Sequence, residues 1–228
     1  MSAADARPAA SPPSPWPMVR AMVGVGIFCG LGIVSVFLAT RDTIERNRAE
    51  ALAAAIFQVL PGARSHETFV WLEEGRFVPL DAQAAEGDRV YAAYDDEGGL
   101  VGVAIEDAGM GYQDVIRLLY GVSLEGPTIV GMAVLESRET PGLGDRIETD
   151  PGFRANFDAL DVALAPDGSR LAHPITAVKQ GEKQEPWEID GITGATISSE
   201  AVADILGRSA GQWIPRLHDR RADFTGGP

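Results

Sequence analysis

Residues 21–40 contain no charged side chain, and this apolar run sets the first limit on how the chain folds. An α-helix rises about 1.5 Å per residue, so a run of this length spans the roughly 30 Å hydrocarbon core of a bilayer. Arg20 and Arg41 stand at its two ends, and Trp16 lies where an aromatic side chain meets the interface. The pattern predicts one transmembrane helix at residues 21–40, preceded by a flexible, proline-rich lead at residues 1–20.

A cleaved signal peptide is the competing interpretation of the same run. The apolar region of a signal peptide has about 7–15 residues and ends at a small-x-small cleavage site. This run is longer and is followed directly by Arg41, which favours a retained anchor. Arginines lie on both sides of it, so the positive-inside rule does not decide which side of the membrane the rest of the chain occupies.

Small residues recur within the apolar run. Gly26 and Gly30 form a G-x-x-x-G pair, which lets a second helix approach closely in lipid. Glycine is also common in membrane helices, so the pair alone leaves a helix partner open. Cys29 lies in the same run, and we interpret it as a small packing residue rather than a redox thiol.

The charge of the chain is distributed unevenly. The net charge is −14, and residues 1–40 contribute +1, so the remainder carries −15. This acidic remainder argues against a nucleic-acid binder, which needs a basic face against the phosphates. One cysteine excludes a disulfide framework or an iron–sulfur site, and the three histidines lack the spacing of metal ligands. We therefore predict no metal site.

After the apolar run the sequence predicts a helix and then a domain of strands and helices. Residues 41–62 are rich in alanine, leucine, glutamate and arginine and end at Pro61-Gly62, which predicts a juxtamembrane helix. Helices are also predicted at residues 151–160 and 198–214, with Pro215 ending the second. Short β-like runs predict strands at residues 89–94, 100–105, 114–122 and 128–135, with a shorter candidate at residues 175–178. The tight turns between the runs imply mostly antiparallel pairing.

These elements predict an α+β fold, mostly an antiparallel sheet with packed helices. We expect this domain at residues 63–218, followed by a C-terminal tail at residues 219–228. Tyr112 and Tyr120 lie near the middle of the domain, and each is a candidate for stacking on a flat ring. Packing in the core or in a strand is the more common role for such side chains, so we expect that role for both.

One segment before the last predicted helix has phosphate-binding character. Residues 190–199 read DGITGATISS, in which two glycines permit tight turns and four hydroxyls precede the helix. A helix N-terminus presents unpaired N–H groups and a partial positive charge, which favour a phosphate. An ordinary turn with a Ser or Thr N-cap shows the same pattern, so the residues alone leave both interpretations open.

A second segment, ETPGLGD at residues 139–145, predicts a tight loop with little side-chain cover. Pro141 restricts Thr140 to extended geometry, and Gly142 and Gly144 flank the single large side chain of Leu143. Such a loop can approach a flat ring or a phosphate through its backbone. A plain connection between a strand and a helix is the alternative.

Together the two segments give the chain a family resemblance. The pairing of ETPGLG with a downstream DGITGATISS resembles the FMN-binding domain of the RnfG proteins of Rnf electron transport complexes and of the related NqrC proteins of the sodium-pumping NADH:quinone reductase. The order of the membrane helix, QVLPG, GYQDVIRLLYGVSLEG and ETPGLGDRIE is also similar. The resemblance therefore extends from the anchor to the last helix. GLGDRIE and the compact length favour the Rnf protein.

The resemblance implies a cofactor and a set of site residues. In that family FMN is joined through a phosphoester bond to the last threonine of the D-x-x-[ST]-G-A-[ST] signature, which matches Thr196 here. A separate flavin transferase makes the bond, with FAD as the donor and a magnesium ion. The other matches, to the signature and to the loop expected to lie against the flavin, are Asp190, Thr193, Gly194, Ala195, Thr140, Pro141, Gly142, Leu143 and Gly144.

The resemblance also implies a place and a role. We expect a single-pass protein of the bacterial inner membrane, with its FMN domain on the periplasmic side, that relays electrons within an ion-translocating Rnf complex. The other Rnf subunits and the flavin transferase are the expected partners. We expect no catalytic residue and no site for NADH or ferredoxin in this chain. Two alternatives stay open: a stand-alone extracytoplasmic flavoprotein, and a cofactor-free membrane-anchored sensor or interaction module.

Overall fold

The computed structural model of the chain describes residues 15–80 and 87–225. The chain divides between residues 49 and 50 into two compact units. Most of the predicted lead, residues 1–14, and the end of the predicted tail, residues 226–228, lie outside the described residues.

Helix α1 (Trp16–Val59) runs without interruption. Residues 33–60 contain no glycine and no proline. Nothing in the sequence therefore breaks the helix between the apolar run and the alanine-rich segment. The segment predicted at residues 21–40 and the part of the segment predicted at residues 41–62 that precedes Leu60 therefore lie on one helix, which also includes residues 16–20 of the predicted lead. It is long and apolar enough to cross a membrane, by length and composition. Gly62, with a φ of +98°, turns the chain away after the helix ends.

Within the described residues, seven antiparallel strands form the main sheet, in the order β2-β1-β3-β4-β5-β6-β7. Two further strands, β8 and β9, pair in parallel as a small second sheet. The strands are β1 (Ser65–Leu72), β2 (Arg76–Pro79), β3 (Asp88–Tyr94), β4 (Leu100–Met110), β5 (Val115–Ser123), β6 (Thr128–Glu136), β7 (Leu160–Asp161), β8 (Thr176–Val178) and β9 (Glu188–Asp190).

The predicted α+β class and the mostly antiparallel pairing are confirmed, and β3 to β6 and β8 lie at the predicted positions, although β8 pairs in parallel with β9. The sequence patterns do not predict the other four strands. Strands β2, β7 and β9 have four residues or fewer, which is too short for a period-2 pattern to be read. Strand β1 begins with Ser-His-Glu-Thr, where apolar alternation is absent.

The remaining helices are α2 (Arg146–Thr149), α3 (Pro151–Ala155) and α4 (Thr196–Asp219), with short 3₁₀ turns at Asn156–Asp158 and Arg221–Phe224. The predicted helix at residues 151–160 corresponds to α3 and the turn after it. The prediction that Pro215 ends the last helix is wrong, because α4 continues to Asp219. Leu217 beyond the proline is fully buried, so packing favours the extra turn despite the missing N–H.

The two faces of the main sheet pack against different helices. On one face, side chains such as Val103 and Leu118 form a core with Leu206 and Ile214 of α4. On the other face, Ala104 and Leu119 pack against the end of α1, at Ile56, Val59 and Leu60. Neighbouring residues along β4 and β5 thus point to opposite faces, as the period of a strand requires. The continuous apolar character of these strands follows from burial on both faces.

A glycine in β6 sets how closely the end of α1 approaches the sheet. A Cβ at Gly131 would lie 2.6 Å from the Val59 carbonyl oxygen and 2.7 Å from its Cα. We expect Gly131→Ala to lower the free energy of unfolding by about 1–3 kcal/mol, because backbone must shift to admit the methyl group. Gly126→Ala, where nothing lies within 4 Å, is the control and should change it by less than about 0.5 kcal/mol. Urea unfolding of the chain in detergent measures both, and equal effects would contradict the prediction.

Candidate functional site

The two motif loops border a single cavity of about 340 Å³. The loop at residues 139–144 follows β6, and the loop at residues 191–195 joins β9 to α4. The turn between β4 and β5 supplies a third wall. The lining residues are Tyr112, Thr140, Leu143, Gly144, Gly194, Ala195, Thr196, Ile197 and Ser198.

Six of the ten predicted site residues line this cavity, and four lie outside its lining. Pro141 and Gly142 are exposed in the same loop as Leu143. Thr193 borders a second cavity, and Asp190 is the last residue of β9. The structure thus brings together two segments that are about fifty residues apart in sequence, and most of the predicted residues face the space between them.

Glu139 ties the three walls of the cavity together. Its side chain is buried, with 6% of the residue exposed. The Ser198 hydroxyl at the start of α4 donates a hydrogen bond to Glu139 Oε2 at 2.5 Å, and the Gln113 backbone N–H donates to Oε1 at 3.0 Å. Gly144 fits beside this pair because it has no side chain: a Cβ there would lie 2.5 Å from Oε2 and 2.8 Å from Ser198 Oγ.

The environment of Glu139 keeps it charged. Burial by itself would raise the pKa of this carboxyl, because a poorly solvated site disfavours the anion. The hydrogen bonds from the Ser198 hydroxyl and from the backbone N–H groups of Gln113, Asp114 and Tyr112 outweigh burial and hold the pKa below its ordinary value. The wall behind the cavity therefore contains a buried anion at neutral pH.

This carboxylate predicts a loss of stability in acid. A group whose pKa is lower in the folded state than in the unfolded state, where it is about 4.3 for glutamate, stabilises the fold above that pH. The contribution disappears as the pH falls through the folded pKa. We expect the melting temperature of the parent to exceed that of Glu139→Gln at pH 7, and the gap to narrow below about pH 4. Thermal unfolding in detergent measures it, and a gap that is constant down to about pH 3 would contradict the prediction.

The four hydroxyls of the DGITGATISS segment have different environments. The Ser198 hydroxyl donates its hydrogen bond to Glu139. The buried Ser199 hydroxyl donates to the Ala195 carbonyl at 2.9 Å and accepts from the Ile192 N–H at 3.1 Å. Thr193 and Thr196 are exposed. Thr196 borders both the first cavity and the second, which measures about 650 Å³. Of the four hydroxyl residues, Thr196 is therefore the exposed one that borders both cavities.

Helix α4 begins at Thr196, two residues before the predicted start. Its N-cap is Ala195, whose methyl side chain cannot accept a hydrogen bond from the first turn. The interpretation of an ordinary Ser or Thr N-cap is therefore wrong. The first turn contains no acidic residue of its own, although the Glu139 carboxylate bonds to Ser198 in that turn, and the helix end carries a partial positive charge. The helix start suits an anionic group bonded at or near Thr196.

The loop before α4 is held by side chains from other elements. Gly194 adopts a φ of +86°, which residues with a Cβ rarely adopt. The Thr193 backbone N–H donates to Gln180 Oε1 at 3.1 Å, and its carbonyl oxygen accepts from an Arg146 Nη at 3.0 Å. Asp190 accepts a hydrogen bond from the Gly181 N–H at 2.6 Å, which ties the start of the loop to the turn after β8.

Arg146 is positioned in turn by Asp150, whose Oδ2 lies 2.7 Å from its other Nη. The Phe153 backbone N–H and the Arg146 guanidinium both bond the Asp150 carboxyl and hold its pKa below the ordinary value. The sequence predictions do not include Arg146. The signal was present in the GLGDRIE match, but the motif does not show that the arginine reaches the second loop.

The structure separates the two candidate tyrosines. Tyr120 is fully buried and its hydroxyl donates to Ser209 Oγ at 2.8 Å, so its predicted core role is confirmed. Tyr112 lies between β4 and β5, is 66% exposed and lines the cavity, so the prediction that it packs in the core or a strand is wrong. Leu143 and Ile197, each 51% exposed, also border the cavity. Large apolar side chains thus face solvent where the two loops meet.

Comparison with known proteins relates this site to a flavin-binding family. Residues 111–210 match the FMN-binding domain family. The chain is 30% identical over 189 residues to the G subunit of the ion-translocating oxidoreductase complex of Methanosarcina acetivorans, covering 83% of this chain and 89% of that protein. It is 37% identical over 210 residues to the corresponding protein of Cereibacter sphaeroides, covering 89% and 88%. The Escherichia coli K12 protein of the same name is 31% identical over 75% of this chain and 77% of its own length.

Two solved structures share the fold at lower identity. NqrC of Shewanella oneidensis superposes with a TM-score of 0.50 at 21% identity, covering 82% of this chain and 96% of that chain. The corresponding protein of the Na⁺-translocating NADH-quinone reductase of Parabacteroides distasonis gives 0.51 at 23%, covering 73% and 80%. These likenesses concern the fold, whereas the oxidoreductase-complex relatives are 30% identical or more over most of both chains. The chain belongs to the RnfG family, the G subunits of ion-translocating oxidoreductase complexes, and its matched region is an FMN-binding domain.

Proposed function

We propose that this protein is an electron-transfer subunit of an ion-translocating oxidoreductase complex and that it carries FMN joined to Thr196 through a phosphoester bond. The observation that carries the proposal is the position of Thr196, an exposed hydroxyl at the first residue of α4 that borders two cavities. The FMN-binding family match supports the cofactor, and the names of the RnfG relatives support the complex.

The start of α4 fits the phosphate of FMN. A phosphoryl group on Thr196 Oγ1 lies at a helix N-terminus whose N-cap, Ala195, does not compete for the first-turn N–H groups. The neighbouring hydroxyls of Ser198 and Ser199 are already bonded inside the protein. Attachment at Thr196 therefore uses an exposed hydroxyl and leaves the internal hydrogen bonds intact.

The first cavity fits part of a flat aromatic ring. Leu143, Ile197 and Tyr112 present apolar surface to solvent at its rim, and covering such surface is favourable. Gly144 and Gly194 let the backbone come close on both sides. The volume is at the lower end of small-molecule sites, so we expect the ring to be only partly enclosed. An exposed ring edge suits electron exchange with a partner protein.

Attachment requires a flavin transferase, with FAD as the donor and a magnesium ion. Thr196 Oγ1 forms a new bond to the phosphorus of the FMN half of FAD, the pyrophosphate bond breaks, AMP leaves, and the hydroxyl proton passes to the transferase. Asp190, Thr193, Gly194 and Ala195 hold the loop in which Thr196 is presented. The loop that faces the ring is formed by Thr140, Pro141, Gly142, Leu143 and Gly144.

When bound, FMN supplies one- and two-electron redox chemistry, and this chain places the cofactor and shapes its surroundings. Helix α1 has the length and composition to hold the domain at a membrane. We propose the bacterial inner membrane, with the FMN domain on the periplasmic side. A covalently held cofactor stays with the protein there, and the other subunits of the complex are its electron-transfer partners.

The test is to express the full chain with a flavin transferase and analyse it after denaturation. We expect flavin fluorescence in the denatured gel band, an FMN-sized mass addition to the intact chain, and the addition on the peptide that contains Thr196. Colourless, unmodified protein would favour the cofactor-free sensor or interaction module. Purification in mild detergent, from cells that express the whole complex, distinguishes a subunit of the complex from a stand-alone flavoprotein. Only a subunit of the complex is expected to co-purify with multispan membrane subunits.

A further inference from the structure

Glu139 is a buried carboxylate directly behind the cavity wall. It does not line the cavity, but its neighbours do. Its Oε2 lies 2.5 Å from the hydroxyl of Ser198, it precedes Thr140 in the chain, and its carboxylate accepts a hydrogen bond from the backbone N–H of Tyr112. Those three neighbours belong to three different walls of the cavity. A flavin seated there lies next to groups that contact this carboxylate directly.

The charge of Glu139 is stabilised without being cancelled. The groups that bond it are a hydroxyl and backbone N–H groups, all of them neutral. The adjacent Arg138 is exposed and directed at other carboxylates, 3.7 Å from Asp114 and 3.8 Å from Glu136. Burial also keeps water from screening the carboxylate, so its field reaches the cavity more strongly than that of a surface charge.

We propose that Glu139 is a positioning residue whose fixed negative charge lowers the reduction potential of the flavin held in the cavity. This inference rests on the proposed function, since it needs a bound flavin. An electron added to the ring brings negative charge towards an existing anion, which is unfavourable at short range in a poorly screened site. Charge near the ring is one of the means by which proteins tune a flavin.

Glu139→Gln tests the charge while keeping the shape. The amide oxygen can still accept from the Gln113 N–H, and the amide NH₂ can donate to Ser198 Oγ, because a hydroxyl also accepts. The three walls are therefore expected to stay joined. Glu148→Gln is the matched control, since it removes the same charge from an exposed carboxylate on α2.

The measurement is a spectroscopic redox titration of the flavin-loaded full chain in detergent, with dithionite as reductant and mediator dyes. We expect Glu139→Gln to shift the equilibrium about tenfold towards reduced flavin, which is about 30 mV more positive for a two-electron couple. Glu148→Gln should leave the potential near that of the parent. A shift for Glu139→Gln no larger than that of the control would overturn the inference.

Two further variants separate charge from structure. Glu139→Asp keeps the charge and should stay closer to the parent than Glu139→Gln does; an equal rise for both would overturn the inference. If Glu139→Gln does not fold, Ser198→Ala keeps the carboxylate but removes its strongest hydrogen bond, so the potential should fall rather than rise, and a rise would overturn it.

The same variants without flavin, in a Thr196→Ala background, report the structural role separately. Hydrogen exchange at the Gln113 amide should stay slow in Glu139→Gln, because the amide oxygen still accepts from it. Fast exchange at the Gln113 amide would mean that the cavity wall is disordered in Glu139→Gln. Any shift in reduction potential would then follow from that disorder rather than from the lost charge, and the inference would be overturned. A parent chain that takes up no flavin would instead contradict the proposed function, so the two failures are distinguishable.

Discussion

Replacing Thr196 with alanine is expected to abolish covalent flavin. The methyl group cannot form a phosphoester, and the other hydroxyls of residues 190–199 either are bonded internally, at Ser198 and Ser199, or lie outside the helix, at Thr193. When Thr196→Ala is expressed with a flavin transferase, intact mass should equal that of the bare chain. In-gel fluorescence should fall to background. The side chain is exposed, so the fold should be unaffected, with a change of less than about 0.5 kcal/mol.

Three companion variants make this prediction specific. Thr196→Ser keeps a hydroxyl at the first residue of α4 and should retain modification, whereas Thr149→Ala removes an exposed threonine at the end of α2 and should behave as the parent. Thr193→Ala should still carry the flavin on Thr196. If the flavin persisted in Thr196→Ala and disappeared in Thr193→Ala, the flavin would be attached to Thr193 and the assignment to Thr196 would be wrong.

Gly144→Ala is expected to have the second largest effect, because it places a methyl group where Glu139 and Ser198 meet. The new Cβ would lie 2.5 Å from Glu139 Oε2 and 2.8 Å from Ser198 Oγ, so the loop must move or the hydrogen bond must break. A broken hydrogen bond leaves the buried carboxylate partly unsatisfied, which lowers the free energy of unfolding by about 1–3 kcal/mol. Displacing the wall by about 1 Å is enough to lower the yield of flavin attachment roughly tenfold to a hundredfold.

Gly142→Asn is the matched control in the same loop. Nothing lies within 4 Å of its Cβ position, and asparagine tolerates the φ of +78° better than other residues with a side chain. It should keep most of the flavin attachment. The two variants are compared by flavin fluorescence per mole of purified chain and by thermal unfolding. Equal losses for both would mean that the loop responds to any added side chain rather than to the Glu139–Ser198 contact.

The hairpins of the main sheet were predictable because the residues that specify them, in the strands and in the turns between them, are close together in the sequence. Strands β3 and β4 are joined by a short Asp- and Gly-rich turn, and each has the β-branched and apolar composition of a buried strand. The end of α4 was not predictable in the same way. Pro215 is a local stop signal, but the burial of Leu217 against residues distant in sequence overrides it.

The apolar run, the mostly antiparallel class and the two motifs can be predicted from the sequence, since each is written in consecutive residues. The sequence also contained the family resemblance that points to FMN. The assembly of the site, in contrast, follows from contacts between distant parts of the fold. The Ser198–Glu139 hydrogen bond joins residues 59 positions apart, the Arg146–Thr193 bond joins residues 47 positions apart, and Tyr112 reaches the cavity from a third element. Such contacts depend on how the sheet and α4 pack together, and no pattern within a single segment records that packing.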